Sequence, residues 1–136
     1  MILIDTADDM EHPVMKSVFG ACDTVVFVSG LTADTSLPVT RAIDQLRSMG
    51  YHDLVSRSIV ILNDSRDSHD ADARSYLTDR FSQSGATVEF MPYDAHLAKG
   101  GIIDTQHELH KKSRLRLFEI AAALADKYTP DADRPR

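Results

Sequence analysis

The first residues that could do chemistry stand at the start of the chain, in the run Ile2-Leu3-Ile4-Asp5-Thr6. A buried strand that delivers an aspartate at its carboxyl end is the layout of an acid that holds Mg²⁺ beside nucleotide phosphates. Read alone, the pentapeptide fits better an aspartate capping the turn that follows. The histidines offer a second possibility. His107 and His110 stand three apart near Asp104 and Glu108, which could form a two-ligand face on a helix. The spacing is not His-Glu-x-x-His and no third ligand is evident, so a polar helix start explains it better. Cys22 precedes an apolar run and reads as a small buried hydrophobe rather than a nucleophile. Ser29-Gly30 fits a ligand edge and a turn equally well. The one dense basic run is Lys111, Lys112, Arg114 and Arg116, which reads as phosphate-contacting or as the solvated face of a helix.

The elements that must position these groups follow from periodicity. Ile2 to Ile4, Thr24 to Val28, Ser58 to Leu62 and Thr87 to Met91 are short apolar runs rich in β-branched residues. They alternate little with polar residues, so they read as strands covered on both faces, as in a parallel sheet. Between them, Val39, Ala42, Ile43, Leu46 and Met49 recur at helical spacing and stop at Gly50. Ala73, Tyr76, Leu77 and Phe81 form a second stripe, with Asp70 as N-cap and Gly85 as the stop. A third helix is predicted from about Thr105 to Tyr128, with Leu117, Ile120, Ala121 and Leu124 on one face. Glu11 to Ala21 is the weakest helical pattern, because Pro13 fits only a first turn. Strand and helix alternating in this way predict an α/β fold, with ligands beyond the carboxyl ends of the strands. The loop from Asn63 to Asp70 and the segments after Ile4, Val28 and Met91 are therefore where function should sit.

The order of these pieces resembles the C-terminal half of the MinD/ParA family of deviant Walker-A P-loop ATPases, and more narrowly the MinD-like proteins associated with actinobacterial type VII secretion. The resemblance covers Ile2 to about Tyr128 and rests on an Asp5-Thr6 switch start, a strand ending in Asn63, and the loop Pro92-Tyr93-Asp94. It implies that Asp5 sits near magnesium through a water and that Asn63 hydrogen-bonds the nucleotide base, a task suited to an amide. It further implies that Pro92, Tyr93 and Asp94 pack along that base. The chain departs from the family in two ways. Ala7-Asp8-Asp9 replaces Pro-Pro-Gly, which sets an acid where a γ-phosphate would approach. There is also no Gly-x-x-x-x-Gly-Lys-Ser/Thr, so the phosphate cradle is missing from this sequence.

The expectation is thus a partial MinD/ParA-like α/β domain over 1–128, followed by a polar tail over 129–136. Its sheet should have about four mostly parallel strands with helices on both faces. ATP and magnesium would belong to a full-length parent, and neither should bind tightly to this chain. The alternative is a non-catalytic α/β interaction module. A flavodoxin- or receiver-like protein fits the alternation but not the motif order.

Composition bounds the partners. The 136 residues carry a net charge of -6 with 43% hydrophobic residues, an ordinary globular profile whose acidity disfavours a dedicated nucleic-acid binder. No apolar run approaches the roughly 20 residues that span a bilayer, and no amphipathic anchor follows Tyr128, so no membrane insertion is expected. One cysteine and the lack of a leader-like start fit the cytoplasm. The resemblance implies a secretion-machinery or partitioning partner protein. It also implies that the P-loop strand, absent here, would lie between Ile2 to Asp5 and Thr24 to Val28. A homo-oligomer, or an irregular N-terminal strand, is therefore expected.

Overall fold

The computed structural model describes residues 2–6, 10, 12–100 and 109–127. In chain order the elements are α1 (Pro13–Ala21), β1 (Val26–Ser29), α2 (Ala33–Ser48), α3 (His52–Arg57), β2 (Ile59–Asn63), α4 (Ala71–Gln83), β3 (Thr87–Met91), α5 (Ala95–Lys99) and α6 (Lys111–Asp126). Among the described residues the sheet has three strands, all parallel, in the order β1-β2-β3. The α/β architecture expected from the sequence is present; the count of four strands is not. Ile2 to Thr6 has no regular secondary structure, and Ile2, Leu3 and Ile4 are 88%, 75% and 61% exposed. An apolar run becomes a strand only when an edge pairs with it, and none does so here.

The local signals behave as the chemistry dictates. Pro13 occupies the first turn of α1, where its missing N–H is not needed. Asp70 caps α4 by accepting from Ala73 N at 2.8 Å. Gly50 and Gly85 follow their helices at φ 89° and 84°, the left-handed conformation that ends a helix without a Cβ penalty. α2 starts at Ala33, ahead of the predicted stripe, and runs through Pro38. A Thr32/Thr35 capping box anchors that early start.

The sheet has two unlike faces. Register aligns Phe27 with Val60 and Val88, and Val28 with Ile61 and Glu89. The first row belongs to the core, which also takes Met15 and Phe19 of α1, Val39, Ile43 and Leu46 of α2, Leu54 and Val55 of α3, and Leu77 and Phe81 of α4. A parallel sheet that grows in one direction through right-handed crossovers places its connecting helices on one face. The other face must be covered by elements outside those crossovers. α6 covers it at β3, where Arg116 pairs with Glu89 at 2.6 Å. At β1, Val26 and Val28 remain 38% and 62% exposed. The predicted helix from Thr105 is described from Lys111, and its expected apolar stripe is only partly covered: Leu117 and Ala121 are exposed, Ile120 and Leu124 half-buried. The tail from residue 128, the Ala7-Asp8-Asp9 segment, Asp104, His107 and Glu108 lie outside the described residues.

Candidate functional site

Because the strands are parallel, their carboxyl ends share one edge of the sheet, and a cleft of about 670 Å³ opens there. Its walls come from Leu31 after β1, the loop from Asp64 to Asp70 and Arg74 after β2, Phe90, Pro92 and Tyr93 at the end of β3, and His110 to Ser113 at the start of α6. The turn out of β1 is tight. A Cβ on Gly30 would lie 2.7 Å from Thr35 Oγ1, a hydroxyl already held by its 2.9 Å bond to the Thr32 carbonyl.

The loop after β2 is organised by one buried carboxylate. Asp64 Oδ1 accepts from Arg66 N at 3.3 Å, Ser68 N at 3.1 Å and Ser68 Oγ at 3.3 Å. Its own amide donates to Met91 O at 2.9 Å, which ties the loop to the end of β3. Such side-chain-to-backbone bonds shape a turn without regular structure. Beyond it, the Arg74 guanidinium lies 3.9 Å from the centroid of the Phe90 ring, a cation–π contact.

Beneath the cleft Asp94 is 2% exposed. Its Oδ1 accepts from His96 N at 2.9 Å and its Oδ2 from His110 N at 3.0 Å, so one carboxylate anchors the starts of both α5 and α6. Burial alone would raise its pKa. Hydrogen bonds from the Ser113 hydroxyl and the backbone around His96 and His110 outweigh that and hold it at about 2. His96 Nδ1 is buried without a hydrogen-bond partner among the described residues, 3.8 Å from Asp94 Oδ1.

The structure gathers some of the sequence-predicted residues and not others. Pro92 and Tyr93 line the cleft. Asn63 is half-buried at the end of β2, beside Met91 in register and immediately before the cleft-lining Asp64. Asp94 anchors two helix starts rather than facing the cleft, and the exposed Asp5 is not among the lining residues. The basic run does not act as one surface. Lys111 and Lys112 line the cleft, whereas Arg116 donates from Nε to Phe90 O and pairs with Glu89 and Glu119, all at 2.6 Å. Sequence reasoning missed Arg74 and Phe90, and it missed the placement of Lys111 and Lys112 at the cleft. Arg74 has a legible signal, one turn into a helix that follows a strand; the others become neighbours only through the packing of α6.

The walls combine an apolar plane, Phe90, Pro92 and Tyr93, with cations from Arg74, Lys111 and Lys112 and carboxylates from Asp64, Asp67 and Asp70. Among the described residues no group of three or more His, Cys, Asp or Glu is placed to hold a metal ion, and no helix is long and apolar enough to cross a membrane.

The chain is 30% identical over 132 residues to the ESX-1 secretion-associated protein EspI of Mycobacterium tuberculosis, in both strain CDC 1551 / Oshkosh and strain ATCC 25618 / H37Rv. The aligned region is 94% of this chain and 19% of each relative, so the chain spans about a fifth of their length. No protein family model matches the chain. No solved structure matches it significantly.

Proposed function

We propose that this chain is the C-terminal part of a MinD/ParA-like nucleotide-binding module that serves type VII secretion and is not catalytically competent by itself. The observation that carries the reading is Pro92-Tyr93 in the wall of the cleft at the carboxyl edge of the sheet, with Asn63 ending the neighbouring strand. A base stacked on Tyr93 would meet aromatic and proline surface, and phosphates would meet Arg74, Lys111 and Lys112. The similarity to a secretion-associated protein over 94% of the chain supports the cellular setting, with a partner in the secretion machinery. Magnesium, approached by Asp5 through a water, belongs to a parent that carries a P-loop; among the described residues no group of three or more His, Cys, Asp or Glu is placed to hold it.

The test is an amide-resonance titration of the 136-residue chain with ATP at millimolar concentration. Weak binding should shift the amides of Asn63, Tyr93, Arg74 and Lys111, and Tyr93→Ala should reduce the shifts several-fold. Shifts confined to other regions, or none at all, would remove the nucleotide reading. A second reading, a non-catalytic interaction module, draws on a different observation: the uncovered apolar surface at β1, where Val26 and Val28 stay exposed.

A further inference from the structure

The sheet has two edges, and they are finished differently. At β3 the ladder to β2 uses Thr87 N and Met91 O, so Val88 and Phe90 turn their backbone groups outward. That edge is closed. Phe90 O accepts from Arg116 Nε at 2.6 Å, Glu89 carries a charge paired with the same arginine, and Pro92 ends the strand without a donor. These are the usual protections of an edge strand: charge, proline and a covering side chain.

At β1 the ladder uses Val25 O, which accepts from Ile59 N at 3.0 Å, so Val26 and Val28 turn outward. Among the described residues nothing protects them. The strand is Val-Phe-Val-Ser, with no charge and no proline, and among the described residues no hydrogen bond reaches this edge. The Val26 and Val28 side chains are exposed as well. The same chain carries, in Ile2-Leu3-Ile4, an apolar run that is exposed and pairs with no strand among the described residues. A bare edge and an exposed apolar run able to pair as a strand complement each other between copies.

We infer that two copies of this chain associate by exchange, with Ile2 to Asp5 of each adding as a strand to the β1 edge of the other. Exchange of identical elements is reciprocal, so both edges and both runs are satisfied in a closed pair. The five residues Ile2, Leu3, Ile4, Val26 and Val28 expose on the order of 600 Å² per copy, so the apolar area the pair could bury is at most about 1,200 Å², near the roughly 1,000 Å² a specific interface needs. Two chains of net charge -6 repel, so the pair should tighten as salt rises.

Light scattering of the chain across a concentration series tests this. A dimer is expected. Leu3→Lys, which spoils the donor run, and Val28→Lys, which charges the acceptor edge, should each weaken it at least tenfold while leaving the far-ultraviolet spectrum unchanged, because both positions are exposed in the single chain. Mixing the two variants is decisive. One retains an intact edge and the other an intact donor run, so the mixture should form a one-to-one pair, through one intact junction, that is tighter than either variant's own dimer. A chain that stays monomeric at hundreds of micromolar, a Leu3→Lys variant that dimerises as tightly as the parent, or folded variants that fail to pair when mixed would each overturn the inference. None of these outcomes depends on nucleotide, so it stands or falls apart from the reading of the cleft.

Discussion

Single residues here do their work through a few backbone bonds. Asp94 is the clearest case, since one buried carboxylate receives the amides that begin α5 and α6. Asn in its place keeps one acceptor and turns an NH₂ toward a donor. Asp94→Asn should therefore destabilise the chain by about 1–3 kcal/mol, read from urea unfolding at neutral pH. The pH dependence has a definite sign. The folded pKa is depressed from 3.8 to about 2, so the contribution is complete above the unfolded value and disappears as pH falls through the folded one. Parent stability should decline between those two values, and Asp94→Asn should flatten that part of the profile. A parent curve that is already flat there would mean that the carboxylate is not held as described. The residue was noticed in the sequence because Pro92-Tyr93-Asp94 resembles a base-contacting loop. That a carboxylate in this loop would turn inward depends on where His110 lies, sixteen residues on.

At the scale of elements, α6 is fixed at its start by Asp94 and to β3 by Arg116. Its guanidinium spans Phe90 O, Glu89 and Glu119, and a planar fork is the geometry that can do this. Arg116→Ala should cost about 1–3 kcal/mol and leave a carbonyl at the β3 edge without its donor. Arg116→Lys should recover only part of that, which thermal unfolding of the three proteins would measure. Full recovery by lysine would show that charge alone matters. Periodicity identified α2 and α4, which bury one face against a single core, and a short apolar run rich in β-branched residues identified all of β3, which is covered on both faces. The same signal placed Ile2 to Ile4 wrongly, because hydrophobicity and β-branching register a capacity to pair and say nothing of whether an edge is within reach. Two short helices, α3 and α5, went unseen, being too brief at six and five residues for a period to show.

The whole molecule is an acidic chain whose basic residues are dispersed by packing. Lys111 and Lys112 turn to the cleft while Arg116 is consumed at β3, so no continuous cationic strip remains from that run. Binding to random duplex DNA should be undetectable by fluorescence anisotropy even at low salt, and a steep salt-dependent isotherm would contradict this. The purified chain should also show no magnesium-dependent ATP hydrolysis above background, since backbone amides and a lysine in a P-loop are what hold the phosphates in such enzymes. Turnover abolished by Asp5→Ala would overturn that expectation. The sequence by itself determined the alternation of strand and helix, the caps at Asp70 and Gly85, and the edge of the sheet at which the cleft opens, because each depends on neighbours within a turn or on strand direction alone. Only the tertiary structure decided that Asp94 points inward, that the basic run divides, and that β1 keeps one face and one edge bare. These are outcomes of which distant elements meet, and a one-way order of parallel strands sends its crossovers to a single face whatever the residues on the other face would prefer.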